Sequence, residues 1–317
     1  MLLAPMGAHR SVFVTRRLPG GALERLQSEH VEVWPGRLPP LREELLARAP
    51  AIEGLLSLLT DRIDAELIEA APKLRAISNY AVGVDNVDLE AAAARGIPVG
   101  NTPDVLTDST ADLALALMLG SARRLAEGQA FVHAGEWKTW EPGLMLGHDL
   151  HGSTVGIVGF GRIGQAVGRR LEGFGCELLT TGRSGGVPLD ELLERSDFVT
   201  LHCPLTPGTR GLIGESALRR MKPTAYLVNT ARGPIVDTDA LTRALHAGEI
   251  AGAALDVTDP EPLPVEHPLL GAPNLLVVPH IGSATHATRG RMADIAVDNL
   301  LAGLAGRPMP HEVAPPV

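Results

Sequence analysis

Residues 153–174 read as a strand, a glycine turn and a helix in direct succession. Ser153–Val158 is apolar and rich in β-branched residues, Gly159-Phe-Gly-Arg-Ile-Gly164 follows, and residues 165–174 have helical spacing. Gly159 permits a tight turn, Gly161 lets the backbone approach a pyrophosphate, and Gly164 allows the helix to pack on the strand. Free N–H groups at the helix N-terminus then face the phosphates. The motif predicts a dinucleotide site, with an ordinary glycine-rich turn as the alternative.

The next strand ends without the acidic residue that usually binds a ribose 2′-hydroxyl. Residues 176–181 run into Gly182-Arg-Ser184, at the place where NAD enzymes carry Asp or Glu about 20 residues after the glycine motif. The guanidinium of Arg183 and the hydroxyl of Ser184 suit a 2′-phosphate, which a carboxylate would repel. The sequence therefore favours NADPH. If Arg183 is instead a solvated surface residue, NADH is the alternative.

Strands and helices alternate along the rest of the chain, as in α/β proteins with parallel sheets. A chain of 317 residues is too long for one typical core, so we expect two Rossmann-like domains. Residues 1–102 and 285–317 are predicted to form a substrate domain, into which a nucleotide-binding Rossmann domain of residues 103–284 is inserted. That domain includes a long apolar helix over residues 108–124, between domains or subunits. The first domain is expected to open with a strand at 11–15 and a helix at 23–29, and a final helix over 285–305 should return to it.

Charge and cysteine content exclude several classes of protein. The formal net charge of −9 disfavours a nucleic-acid partner, because phosphate binding needs clustered Lys and Arg. Cys176 and Cys203 are far apart and fit neither a disulfide framework nor a zinc site. The most apolar stretch, Leu113–Leu119, is too short to span a membrane, and the first ten residues lack the features of a signal peptide. We therefore expect a cytoplasmic protein with no metal and no membrane contact.

Three polar side chains follow predicted strands in the second half of the chain. Arg232 follows residues 225–229, Glu261 lies in a proline-rich loop after residues 250–257, and His280 follows residues 275–278. Open α/β sheets bind ligands at the carboxyl ends of their strands. Reduction of a 2-keto acid needs a cation for the carboxylate and an acid beside the carbonyl oxygen, where charge develops. Arg232 and His280 suit these roles and Glu261 could orient the histidine ring, although each alone is more often a surface or structural residue.

Four short motifs follow one another in the second half of the chain. They are Gly-Phe-Gly-Arg-Ile-Gly164, Asn-Thr-Ala-Arg-Gly233, Asp-Val-Thr-Asp-Pro-Glu-Pro262 and Pro-His-Ile-Gly-Ser283. In this order and separation they resemble the D-isomer-specific 2-hydroxyacid dehydrogenase family, and the resemblance covers almost the whole chain. Asn-Thr-Pro-Asp-Val-Leu-Thr-Asp108, Thr-Gly-Arg183 and Pro-Glu-Pro-Leu-Pro264 are most similar to its glyoxylate and hydroxypyruvate reductase branch. The resemblance implies reduction of glyoxylate to glycolate and of hydroxypyruvate to D-glycerate, with NADPH preferred.

The resemblance also implies roles for individual residues. Arg232 would hold the substrate carboxylate and carbonyl, and His280, paired with Glu261, would protonate the carbonyl oxygen. The backbone around Val82 and Gly83 would bind the substrate carboxylate, and substrate contacts are also expected from Leu58, Ser283 and Trp140. Besides the three glycines of the turn, the implied cofactor contacts are Thr107, Arg162, Ile163, Arg183, Ser184, Pro204, Thr230, Asp256 and Gly282.

Two of the three tryptophans lie close together, in Trp137-Lys-Thr-Trp-Glu141. Trp140 resembles the aromatic residue that reaches the partner subunit's active site in the reductase branch, and the family is usually dimeric, so we expect a homodimer. The alternative is that both tryptophans pin this loop to their own domain. Rival functions are a dehydrogenase for another acid such as D-lactate, one that uses phosphite as hydride donor, and a dinucleotide-sensing corepressor that acts by protein contact.

Overall fold

The strands and helices fall into two units with separate cores, in a computed structural model that describes residues 10–183 and 185–314. One unit comprises the chain up to Leu106 together with the segment from Ala284, and the other comprises Thr107–Ser283. This division lies four residues from the predicted boundary at 102 and one residue from the predicted boundary at 285. Both units are α/β with parallel sheets, so the predicted fold class is confirmed.

The first unit alternates short strands and helices along its N-terminal segment. Its elements are β1 (Ser11–Val14), β2 (His30–Val33), α1 (Arg42–Arg48), β3 (Gly54–Ser57), α2 (Ala65–Ala70), β4 (Ala76–Asn79), α3 (Leu89–Ala94) and β5 (Val99–Gly100). The strands pair in parallel in the order β2-β1-β3-β4-β5. Asp64 and Asp88 cap α2 and α3, because each carboxylate accepts a hydrogen bond from a first-turn backbone N–H. Because β1, β3 and β4 pair in parallel, the loops that follow them share one edge of the sheet.

The predicted helix at residues 23–29 is wrong. The structure has a short 3-10 helix at Ala22–Leu26, followed by β2, which the sequence analysis does not predict. Gly21 precedes the 3-10 helix and has no side chain to cap it. Leu26 is fully buried in the core, and the chain then turns to pair β2 with β1. Tertiary packing thus ends the helical segment after five residues.

The second unit opens with two helices and continues with six strands. Its elements are α4 (Thr107–Ala122), α5 (Leu125–His133), β6 (Thr154–Val158), α6 (Arg162–Glu172), β7 (Glu177–Thr181), α7 (Leu189–Arg195), β8 (Phe198–Leu201), α8 (Glu215–Arg220), β9 (Tyr226–Asn229), α9 (Thr238–Ala247), β10 (Gly252–Leu255) and β11 (Leu275–Val277). The parallel sheet has the order β11-β10-β9-β8-β6-β7. Because β7 and β8 lie on opposite sides of β6, the strand order reverses there and opens a crevice at the carboxyl ends of β6 and β8.

Two long helices pack on different sheets. The final helix, α10 (His286–Leu304), begins after Thr285, whose hydroxyl caps it, and belongs to the first unit. Its buried side chains share a core with β1, β3 and β4. The predicted long apolar helix is α4, whose alanines and Met118 pack on the sheet of the second unit. Of the helices described, none has both the length and the apolar character needed to cross a bilayer.

Candidate active site

The glycine turn lies at the carboxyl end of β6, beside the end of β8. Gly159 has φ +94°, and a Cβ atom on it would lie 2.5 Å from the backbone nitrogen of Cys203, so only glycine fits. A Cβ on Gly164 would lie 2.3 Å from the Gly159 carbonyl oxygen, because α6 packs directly on the turn. A Cβ on Gly161, in contrast, would meet no atom of the described residues within 4 Å. The turn therefore leaves space before the α6 N-terminus, where the N-cap residue Gly161 has no side chain, and a pyrophosphate would suit this position.

The turn after β7 carries the residues predicted to select the cofactor. Gly186, with φ +114°, lets the chain turn back on the end of the strand. A Cβ on Gly182 would lie 3.6 Å from the backbone nitrogen of Phe160, so this turn packs against the glycine turn. Arg183 is exposed next to that contact. Ser184 lies outside the described residues. The position of Arg183 suits an anion on the ribose of a bound dinucleotide.

Arg232 follows β9 in a tightly held turn. The Asn229 carboxamide accepts a hydrogen bond from Ala231 N at 3.0 Å and donates to the Arg232 carbonyl at 2.8 Å. A Cβ on Gly233 would lie 1.9 Å from the carbonyl oxygen of Thr258, in the loop after the neighbouring β10. The backbone of this turn therefore packs directly against the loop that carries Glu261.

Glu261 and His280, from the loops after β10 and β11, form a hydrogen-bonded pair. Glu261 Oε1 lies 2.6 Å from His280 Nδ1, and Glu261 Oε2 accepts a hydrogen bond from Thr258 N at 3.3 Å. The two side chains are 35% and 26% exposed, so the pair is open to a ligand without being fully solvated. A carboxylate on Nδ1 favours the tautomer in which this nitrogen carries a proton, and it orients the ring.

Asp256 holds the backbone at this histidine and at the two residues after it. It is 2% exposed, and its carboxylate accepts hydrogen bonds from Ile281 N at 2.6 Å and Gly282 N at 2.9 Å. The backbone N–H of His280, which has φ +52°, donates to the Asp256 carbonyl at 2.9 Å. Burial raises the pKa of the Asp256 carboxyl, and the two N–H groups oppose this shift. Asp256 thus acts as a clamp on the His280 loop, a role that the sequence analysis does not predict.

The other predicted cofactor residues of this unit lie at element ends. Arg162 and Ile163 begin α6, Pro204 follows β8, Thr230 follows β9 and Thr107 begins α4. A Cβ on Gly282 would lie 3.3 Å from the hydroxyl of Thr110, so the first turn of α4 lies beside the His280 loop.

His202 is a residue of this edge that the sequence analysis misses. Its ring nitrogens lie 2.9 Å from the Thr200 hydroxyl and 3.4 Å from the Thr230 hydroxyl. Burial lowers the pKa of His202 to about 4, so the ring is neutral at pH 7. The signal was available, because His202 directly follows β8, as Arg232 follows β9 and His280 follows β11.

The remaining predicted substrate residues lie elsewhere in the chain. Leu58 follows β3, and Val82 and Gly83 follow β4, all in the first unit, while Ser283 ends the second unit. Their substrate contacts stay predictions. Trp137 and Trp140, between α5 and β6, are 62% and 80% exposed. This exposure does not fit the alternative in which they pin their loop to its own domain.

Comparison with known proteins finds relatives along almost the whole chain. Residues 115–282 match the family model described as D-isomer specific 2-hydroxyacid dehydrogenase, NAD binding domain. The chain is 50% identical over 316 residues to a glyoxylate reductase of Korarchaeum cryptofilum, with 95% of each protein covered. A solved structure from Thermus thermophilus is 52% identical, with a TM-score of 0.91 and coverage of 96% of this chain and 100% of that one. An NADPH-dependent glyoxylate/hydroxypyruvate reductase from Sinorhizobium meliloti, solved with NADP and malonate, is 34% identical, with a TM-score of 0.84 and 97% of each chain covered.

Proposed function

Because the chain belongs to the D-isomer specific 2-hydroxyacid dehydrogenase family, it is an enzyme, and we propose that it reduces glyoxylate to glycolate and hydroxypyruvate to D-glycerate. The observation that carries this proposal is the hydrogen-bonded pair of Glu261 and His280. The pair lies at the carboxyl ends of β10 and β11, in the same unit and at the same sheet edge as the glycine turn. Reductases of this kind from Korarchaeum cryptofilum and Sinorhizobium meliloti support the choice of substrate.

The proposed mechanism assigns one task to each of three side chains. When bound, the reduced nicotinamide cofactor supplies the hydride. Arg232 neutralises the substrate carboxylate and polarises the carbonyl, because its guanidinium presents several donors in one plane. His280 holds a proton on Nε2 and gives it to the carbonyl oxygen as negative charge develops there. Glu261 accepts from Nδ1, which orients the ring and stabilises the charge it carries before transfer.

The preference for NADPH over NADH rests on the turn after β7. Arg183 is exposed beside the glycine turn, and Gly182, the one residue between β7 and Arg183, carries no carboxylate that would repel a 2′-phosphate. The relative from Sinorhizobium meliloti was solved with NADP. We expect Arg183→Ala to raise the KM for NADPH about tenfold or more while the KM for NADH changes less than twofold, because NADH lacks the phosphate. Arg169→Ala, at an exposed position on α6, is the matched control.

The backbone of Val82 and Gly83 is proposed to bind the substrate carboxylate. Leu58, Ser283 and Trp140 are proposed to add side-chain contacts that set the size of substrate accepted. Glyoxylate and hydroxypyruvate differ by one hydroxymethyl group, so substitutions at Leu58 should change the ratio of their kcat/KM values.

The proposed assembly is a homodimer. Several large apolar side chains on and after α5 are exposed: Leu125, Val132, Trp137, Trp140 and Leu146. Five exposed large apolar side chains within one segment suit burial by a second copy. Sedimentation of the wild type and of Trp140→Ala tests the dimer, and a monomeric wild type would contradict it.

The predicted cytoplasmic location also stays a proposal.

The first experiment follows the loss of reduced-nicotinamide absorbance. Glyoxylate, hydroxypyruvate and pyruvate are each tested with NADPH and with NADH. Fast oxidation of NADPH by the first two supports the proposal. Preference for pyruvate would point to a D-lactate dehydrogenase, and no turnover with any pair would point to a dehydrogenase for another acid.

The proton donor is tested separately. His280→Ala should abolish measurable turnover while NADPH still binds with wild-type affinity. His246→Ala, at an exposed position on α9, controls for loss of a histidine. Full activity in His280→Ala would refute the assignment.

A further inference from the structure

Two asparagines at one edge of the first sheet hold the carbonyl groups of consecutive residues. Asn101 Nδ2 donates to the carbonyl oxygen of Val82 at 2.8 Å, and Asn79 Nδ2 donates to that of Gly83 at 3.0 Å. Asn79 is the last residue of β4 and is fully buried, while Asn101 directly follows β5. Both carbonyls are therefore drawn toward the end of the sheet.

This arrangement also sets the direction of the backbone N–H groups. In a trans peptide the N–H points opposite to the carbonyl of the same unit. With the Val82 and Gly83 carbonyls turned toward the asparagines, the N–H groups of Gly83 and Val84 point away from them, on the same side. Successive N–H groups on one side of the chain form a concave anion site.

Asn79 is itself held in one orientation. Its Oδ1 accepts from the Ser57 hydroxyl at 3.0 Å and from Asn86 Nδ2 at 3.3 Å, and its Nδ2 also donates to Asn86 Oδ1 at 3.0 Å. Rotation of the carboxamide by half a turn would bring its oxygen against the Gly83 carbonyl, two acceptors without a proton between them. The Asn86 carboxamide in turn donates to the Leu58 carbonyl at 3.0 Å. One hydrogen-bond network, buried at Ser57 and Asn79 and half-buried at Asn86, thus links the backbone of two loops that carry predicted substrate contacts.

We propose that Asn79 is a positioning residue for the substrate carboxylate: its buried carboxamide turns the Gly83 carbonyl inward and so aims the following N–H group outward at the anion. Asn101 does the same for the preceding peptide. The inference rests on the proposed function, in which this backbone binds the carboxylate of a 2-oxo acid. It adds the residue that prepares the site before the anion arrives, so that little reorganisation is needed on binding.

The test is Asn79→Asp, which keeps the shape of the side chain but replaces the donor toward Gly83 with a carboxylate oxygen. We expect the KM for glyoxylate to rise at least tenfold, with kcat within threefold of wild type and the affinity for NADPH unchanged. The rise should grow with pH, because only the protonated carboxyl can still donate to the Gly83 carbonyl. A purely structural role would not produce this pH dependence or the separation of KM from kcat.

Ser78→Ala is the matched control on the same strand. Ser78 is also fully buried, but its hydroxyl donates to the Ala296 carbonyl on α10 at 2.7 Å, outside the asparagine network. We expect this variant to lower the melting temperature and to leave the KM for glyoxylate within twofold. Asn101→Asp is the second variant if Asn79→Asp does not fold, and its KM should rise in the same way.

Calorimetric binding of oxamate, an unreactive 2-oxo acid analogue, in the presence of NADPH needs no turnover. Oxamate binding that weakens at least tenfold in Asn79→Asp supports the inference, whether or not the wild type reduces glyoxylate. A wild type that binds oxamate but does not reduce glyoxylate would refute only the proposed substrate. Wild-type affinity for oxamate in both asparagine variants would overturn it. An absence of oxamate binding by the wild type would overturn both the inference and the carboxylate site.

Discussion

The pair of Glu261 and His280 permits a quantitative prediction for Glu261→Gln. Glutamine keeps the length of the side chain but removes the charge that faces His280 Nδ1 at 2.6 Å. A hydrogen bond to a charged group contributes about 1.5–3 kcal/mol. Because the Glu261 side chain is 35% exposed, solvent screens the pair, and we expect a loss near the lower end, about 1.5 kcal/mol. This corresponds to a fall of about tenfold in kcat/KM.

The assay compares kcat, KM and NADPH affinity in the variant and the wild type. The loss should appear mainly in kcat, since the charge on His280 matters most during proton transfer. Glu266→Gln, an exposed carboxylate of the same proline-rich loop, is the control and should retain wild-type values. A Glu261→Gln enzyme with kcat within twofold of wild type would refute the role of this carboxylate in orienting and stabilising the histidine.

Three further predictions follow from the same geometry. Gly161→Ala should fold with an unchanged melting temperature, because its Cβ meets open space, yet weaken NADPH binding at least tenfold. Gly159→Ala should instead lower the melting temperature by several degrees, because of its positive φ and the close Cys203 backbone; equal melting temperatures for the two variants would contradict this. Burial lowers the pKa of His202 to about 4, so between pH 6.5 and 4 the unfolded chain binds more protons than the folded chain. The stability that the neutral His202 ring contributes is therefore fully present above pH 6.5 and falls by up to about 3 kcal/mol as the pH drops to 4. Denaturant titrations across this pH range should show a smaller fall in the free energy of unfolding for His202→Gln than for the wild type. If the free energy of unfolding of both proteins falls equally with pH, the linkage is disproved.

The nucleotide-binding half of the fold was the most predictable part. Gly159 answers a local requirement for a positive φ, Gly164 one for close packing, and Gly161 leaves space for a ligand. These requirements appear in sequence as Gly-Phe-Gly-Arg-Ile-Gly164 after a run of β-formers. The strand-end positions of Arg232, Glu261 and His280 were predictable for a similar reason, since the end of a strand can be read from its neighbours along the chain. His202 directly follows β8, so a search for polar residues after every strand would also have found it.

The features that sequence reasoning missed depend on contacts between distant segments. The 3-10 helix at residues 22–26 ends early because β2 pairs with β1, which no local pattern specifies. Asp256 clamps Ile281 and Gly282 across 25 and 26 residues of chain.

By itself, the sequence determined the alternation of strands and helices, the glycine turn and the set of polar residues at strand ends, because these follow from local propensity and chain order. Only the tertiary structure decided that Glu261 meets His280 Nδ1, and that Asn79 turns the Gly83 carbonyl inward. Whether such a hydrogen bond forms depends on differences of a few tenths of an ångström in the distance between groups from different segments, and these distances are set when the sheet and its loops pack together.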